Sequence, residues 1–154
     1  MKRLLVTGLS GFVGQHVRKA VESSGQERFQ LAVPRDPIEL TDPATIETAV
    51  GDARPDCVLH LAAQAFIPAS VKDPRATYEV NFFGTLNLLQ ALKTSGFGGR
   101  VLYVGSADAY GVVPDEDLPS RNHARCGHAP RTGSARRQRN CCVANGPRIR
   151  TLTS

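Results

Sequence analysis

A chain of 154 residues, 41% hydrophobic and 21% charged, can build one modest domain but is too short for a complete two-domain oxidoreductase. Its apolar runs fall well short of the ~20 residues that span a bilayer, and the few apolar residues before Thr7-Gly8 are too short for a secretory signal, so a soluble cytoplasmic protein away from the membrane is expected. The net charge of +5 invites a nucleic-acid reading, but the eight Arg from Arg121 onward, with no Lys, Asp or Glu among them, leave 11 basic against 14 acidic residues over 1–120, a net of −3.

Cysteine divides the same way, with Cys57 in the front part and Cys126, Cys141 and Cys142 in the tail. None has paired zinc spacing, so four free thiols and no metal site are expected.

Strand and helix signals alternate along the front part, which predicts a parallel sheet covered by helices. Residues 3–7 form a short apolar run ending at Gly8, the first strand. A helix follows over about 11–23, with Phe12, Val13, His16, Val17 and Ala20 at helical spacing. Residues 30–33 make a second strand, closed by Pro34 and Pro37. Thr41 or Asp42 can cap a helix over 44–50 that Gly51 should end. After the turn at Pro55-Asp56, residues 57–61 read as a buried strand. A long helix starts near Asp73-Pro74, runs through Phe82, Thr85, Leu86, Leu88, Leu89 and Ala91, and stops at Gly96; residues 101–104 are the fourth strand. From Arg121 the large aliphatics are Val143, Ile149 and Leu152, without period, so 121–154 is expected to be irregular or disordered. The division is thus a partial dinucleotide-binding domain over 1–120 and a basic tail over 121–154.

The segment Val6-Thr7-Gly8-Leu9-Ser10-Gly11-Phe12-Val13-Gly14 lies between a predicted strand and an amphipathic helix, the context in which three glycines bind a dinucleotide. Gly8 allows the tight turn, Gly11 lets a pyrophosphate approach the backbone, and Gly14 lets helix pack on strand. The helix N-terminus offers its amides and positive dipole end. A purely structural strand–helix turn is the bland alternative.

This GxxGxxG spacing resembles the extended short-chain dehydrogenase/reductases, the NAD-dependent epimerase/dehydratase group. Further landmarks follow in that family's order: His60-Leu61-Ala62-Ala63-Gln64, then Asp73-Pro74, then Asn81-Phe82-Phe83-Gly84-Thr85-Leu86-Asn87-Leu88-Leu89, then Ser106-Ala107-Asp108-Ala109-Tyr110-Gly111. His60 to Gln64, Asn81 to Lys93 and the short link from Leu31 to Asp42 are most similar to the branch that reduces a GDP-4-keto-6-deoxy sugar. The resemblance implies an NAD(P)-binding Rossmann fold acting on a nucleotide-sugar, in a parent enzyme that is a homodimer through its long helices.

It also implies roles. Gly8, Ser10, Gly11, Phe12, Val13, Gly14, Leu40, Leu61, Ala62, Ala63, Gln64 and Asn81 would line the cofactor; the alternative for Asn81 is a buried helix residue that hydrogen-bonds nearby backbone. Ser106 would polarise the substrate ketone, with Asp108 beside the substrate. Arg35, after the second strand, suits the 2′-phosphate of NADP, although adjacent Asp36 suits NAD; NADPH is favoured, NAD possible. Asp42 could be an N-cap alone, and His60, on a core strand, is more readily a satisfied structural residue than a catalytic one.

The family's Tyr-x-x-x-Lys pair, general acid–base and its partner, is missing: Tyr78, Tyr103 and Tyr110 have no Lys four residues on. The tail suggests a reason. If each codon's third base is joined to the next codon's first two, the genetic code permits P-Y-G-V-S-K-A-A-A-E-L-L-C-R-Q-W from Pro130, and Asn140-Cys141-Cys142 forces the Leu-Leu. The hidden Tyr falls at Arg131/Thr132, about 26 residues after Ser106, so a frameshift between Pro119 and Pro130 is expected. The rival functional classes are a nucleotide-binding module without catalysis, whose Leu88/Leu89 helix face would lie uncovered, and a nucleic-acid binder acting through the Arg-rich tail.

Overall fold

The computed structural model describes residues 1–25, 28–106 and 150–152. The elements run β1 (Lys2–Thr7), α1 (Phe12–Ser23), β2 (Phe29–Leu31), α2 (Pro43–Ala53), β3 (Cys57–His60), α3 (Ile67–Lys72), α4 (Pro74–Tyr78), a π-helical turn (Glu79–Phe83), α5 (Gly84–Thr94), β4 (Arg100–Val104) and β5 (Arg150–Leu152). The strands form one parallel sheet in the order β2-β1-β3-β4-β5. This is the α/β Rossmann architecture expected from the alternating signals. Leaving β1, the chain steps to β2 on one side and later to β3 on the other, so with right-handed crossovers α1 covers the face opposite α2 and α5.

The two faces are packed very differently. Leu5 and Val58 from the sheet join Leu40, Ile46, Val50, Ala53, Leu88, Ala91 and Leu92 in one buried cluster, which seats α2 and α5 against each other. On α1 the buried residue is Gly14, and Phe12 and Val13 are exposed.

Several element limits differ from expectation. Helix α2 runs through Gly51 to Ala53, because Ala53 is buried in the core and a central glycine costs only about 1 kcal/mol. It stops instead at Arg54, in the left-handed region at φ 40°, just before Pro55. Asp42 is its N-cap, Oδ1 accepting from the Ala44 amide at 2.9 Å, with Pro43 in the first turn. Strand β2 ends at Leu31, short of the exposed Val33. The short helix α3 was not foreseen, since Pro68 and a single turn leave no period to read. The long helix is present as α4, the π turn and α5, capped by Asp73 through the Ala76 amide and ended by Gly96 at φ 72°. Its exposed apolar side chains are Phe83 and Leu86, whereas Leu88 is buried and Leu89 half-buried, so the expected bare face at Leu88/Leu89 is largely covered. Of the tail, residues 150–152 add a parallel edge strand to β4, pairing Leu102 with Arg150 and Val104 with Leu152; the remainder of 121–154 lies outside the described residues.

Candidate functional site

In an open parallel sheet, ligands bind beyond the strands' carboxyl ends where the strand order reverses. Here that point lies between β1 and β3, and the two segments leaving these strands form its walls.

The first wall is the glycine segment. Gly8 has φ 75°, and a Cβ there would lie 2.8 Å from Ala62 N and 2.9 Å from Ala62 Cα. It therefore meets both the backbone angle and the close approach that only glycine tolerates. A Cβ on Gly14 would collide with the Gly8 carbonyl and come within 2.6 Å of Leu9 Cα. The Gly11 amide donates to Gly8 O at 3.0 Å, and Gly11 is the N-cap of α1 without a side-chain hydrogen bond. The first-turn amides of α1 are thus left without a side-chain cap, the arrangement that receives a diphosphate. Ser10, Phe12 and Val13 are exposed along this wall, with the Phe12 ring 4.6 Å from that of His16.

The second wall, Leu61-Ala62-Ala63-Gln64, is held by side chains. Asn81, 1% exposed within the π turn, accepts from the Gln64 amide through Oδ1 (2.7 Å) and donates through Nδ2 to the Gln64 carbonyl (3.0 Å). Gln64 Oε1 in turn accepts from the Phe66 amide at 3.0 Å. π-Helical turns concentrate at functional positions; this one brings Asn81 to the wall. The Leu61 amide donates to Thr7 O (3.2 Å) and the Ala62 amide to Thr7 Oγ1 (3.3 Å), tying the second wall to the end of β1. His60 bridges Thr7 Oγ1 through Nδ1 and Thr85 Oγ1 through Nε2, so it is a satisfied buried side chain.

Other expected residues stand further out. The Leu40 side chain is core, 5% exposed, and its carbonyl accepts from Asn87 Nδ2 at 3.1 Å; a Cβ on Gly84 would lie 2.7 Å from Leu40 Cβ. Any contact of Leu40 with a cofactor therefore belongs to its backbone. Arg35 is fully at the surface, its side chain 88% exposed and its Nε 3.8 Å from Asp52 Oδ2, a pair worth little to stability. Ser106 is buried just beyond β4, the strand next to β3. Asp108 lies outside the described residues. No group of three or more His, Cys, Asp or Glu is placed to hold a metal among the described residues, and none of the described helices is long and apolar enough to cross a membrane. Sequence reasoning passed over Thr7, Thr85 and Asn87; the signal for the two threonines was His60 itself, a buried imidazole that demands partners.

The family model described as "NAD dependent epimerase/dehydratase family" matches residues 4–134. The chain is 43% identical over 118 residues to the GDP-6-deoxy-D-mannose reductase of Pseudomonas aeruginosa, covering 77% of this chain and 38% of the relative. It is 32% identical over 113 residues to the GDP-6-deoxy-D-talose 4-dehydrogenase of Aggregatibacter actinomycetemcomitans, covering 71% and 37%. Among solved structures, RMD from Pseudomonas aeruginosa complexed with NADPH superposes with a TM-score of 0.87 at 33% identity, over 98% of this chain and 53% of that one. The UDP-glucose 4-epimerase of Thermus thermophilus in complex with NAD gives 0.79 at 28% identity, over 92% and 50%. The chain thus spans under half the length of these curated relatives and about half of these solved chains. With the glycine cradle and the Asn81-held wall in the family's order, the chain belongs to the NAD-dependent epimerase/dehydratase family of extended short-chain dehydrogenases/reductases.

Proposed function

We propose that this chain is the dinucleotide-binding part of a nucleotide-sugar oxidoreductase, and that the whole enzyme reduces the 4-keto group of GDP-4-dehydro-6-deoxy-D-mannose to give GDP-rhamnose. The observation that supports it most is the 43% identity to a GDP-6-deoxy-D-mannose reductase. The cradle suits the cofactor sterically, since Gly8 and Gly14 let the turn close against neighbouring backbone while Gly11, bare of a side chain, leaves the start of α1 open to a diphosphate. When bound, NADPH supplies the hydride for the sugar's C4.

The chain's own residues bind and orient. Gly8, Ser10, Gly11, Phe12, Val13 and Gly14 form one side of the cofactor site, and Leu61 to Gln64, positioned by Asn81, form the other. Ser106 donates a hydrogen bond to the substrate ketone and polarises it, with Asp108 proposed beside the sugar. Among the described residues Arg35 is held by a long pair with Asp52, so it can turn to a 2′-phosphate; this and the NADPH-bound neighbour favour NADPH over NAD. The proton for the developing alkoxide would come from the Tyr of the missing Tyr-x-x-x-Lys pair. We therefore infer that the 154-residue chain does not turn over and that a frameshift between Pro119 and Pro130 removed the pair.

A nucleotide-sugar epimerase is the second reading, favoured by the NAD-bound epimerase neighbour. A nucleotide-binding module without chemistry is the third. Resequencing the DNA for residues 115–154, and assaying the chain read in the shifted frame from Pro130, tests all three. Oxidation of NADPH on the GDP-4-keto sugar supports the reductase. Interconversion of a UDP-hexose with bound NAD supports the epimerase, and inactivity of both chains with NADPH still bound supports the module. Turnover by the 154-residue chain as written overturns the assignment of acid–base catalysis to the lost pair.

A further inference from the structure

Thr7, His60 and Thr85 are 1%, 1% and 3% exposed, and their polar atoms form a single line through the end of the sheet. Its proton order follows from the hydrogen bonds. The Thr85 hydroxyl donates to Asn81 O at 2.9 Å, so toward His60 Nε2, 3.0 Å away, Thr85 Oγ1 can only accept. That order puts the proton on Nε2 and, in a neutral ring, leaves Nδ1 an acceptor; of the two tautomers it is the one that keeps the Thr85–Asn81 bond. The Thr7 hydroxyl then donates to Nδ1, which leaves an oxygen lone pair directed at the Ala62 amide, 3.3 Å away.

We propose that His60, neutral and protonated on Nε2, is a positioning residue that sets the gap between the two walls of the dinucleotide site through Thr7 and Ala62. Thr7 is joined directly to Gly8, and Ala62 N and Cα are the atoms that close over Gly8. Fixing the Thr7 hydroxyl toward the ring therefore fixes how near Ala62 lies to the glycine turn. The opposite tautomer has Nδ1–H donating to Thr7, turns the Thr85 hydroxyl away from Asn81 O, and loosens the anchor of the Asn81 wall. The proposal rests on the reading of this crevice as a dinucleotide site.

The test uses the full 154-residue chain. The 15N spectrum of the His60 ring should show a pyrrole-type Nε2 and a pyridine-type Nδ1. Thr7→Val keeps the side-chain shape and removes the hydroxyl; it should speed hydrogen exchange at the Ala62 amide at least about tenfold and weaken NADPH binding about fivefold to tenfold, the worth of one hydrogen bond. His60→Asn keeps an acceptor near the Nδ1 position and should lose less than about threefold, whereas His60→Gln, which reaches only toward Thr85, should match Thr7→Val. Ile46→Val, a core truncation in α2, controls for lost stability and should leave NADPH affinity unaltered. A pyrrole-type Nδ1, or Thr7→Val binding as tightly as the unaltered chain, overturns the proposal. An unaltered chain that ignores NADPH sinks the dinucleotide reading instead; the ring spectrum and the Ala62 exchange then still decide for or against the link through Thr7.

Discussion

The two walls of the crevice are built by opposite means. The Gly8–Gly14 wall owes its shape to side chains it lacks: at Gly8 and Gly14 a single carbon would meet backbone atoms that cannot move aside. The Leu61-to-Gln64 wall owes its shape to side chains brought from elsewhere, Asn81 and Thr7 above all. Steric exclusion is written into the segment that needs it, whereas hydrogen-bonded support comes from residues distant in the chain, so one wall fails by added atoms and the other by removed ones.

The largest effect is expected where exclusion is strictest. Gly8→Ala must hold a positive φ and push against the Ala62 backbone, and strain and overpacking together should cost about 3–4 kcal/mol. A chemical-denaturation midpoint measures it, and a loss below about 1 kcal/mol would mean that the two walls stand further apart than described. Asn81→Ala attacks the other wall: the half-buried Gln64 amide loses its acceptor and the Gln64 carbonyl loses its donor, for about 2–3 kcal/mol. Hydrogen exchange at Gln64 should speed up while that at Gly11 does not. If both segments loosen together, the walls are one cooperative unit and the contrast between them fails.

The same contrast explains what could be read without coordinates. The glycine wall was legible because its cause is local: strand, three spaced glycines, then a helix. Asn81 was recognised by family register, but its grip on Gln64, 17 residues earlier in the chain, leaves no trace in any local pattern. The Thr7–His60–Thr85 line spans three elements, and nothing in the spacing of those residues announces it. Helix α2 ran past Gly51 because a buried Ala53 outweighs a weak local break, and the π turn at Glu79–Phe83 adds an offset that a 3.6-residue period cannot register. That the Leu40 side chain packs into the core was not legible, since a side chain in a short link between elements has no periodicity to tell inside from outside.

A support lying outside both walls should matter moderately. Asp42→Ala removes the side-chain acceptor for the Ala44 amide at the start of α2 and should cost about 1 kcal/mol, the usual worth of an N-cap. Asp42→Ser or Asp42→Asn should recover most of it. Recovery by neither variant would show that Asp42 contributes by charge rather than by capping.

The smallest stability change is expected at Arg35, and there affinity and stability should part company. The guanidinium is exposed and its pair with Asp52 is long, so Arg35→Ala should move the unfolding midpoint by less than about 0.5 kcal/mol. A 2′-phosphate bound by that cation would nevertheless lose a charge-assisted partner worth about 1.5–3 kcal/mol, so NADPH affinity should fall at least about tenfold while NADH affinity stays within about twofold. Asp36 is next in sequence and would repel the same phosphate, so Asp36→Asn should shift the preference the other way. Equal losses for both dinucleotides in Arg35→Ala would place Arg35 away from the ribose and move the choice of cofactor to backbone atoms of the walls.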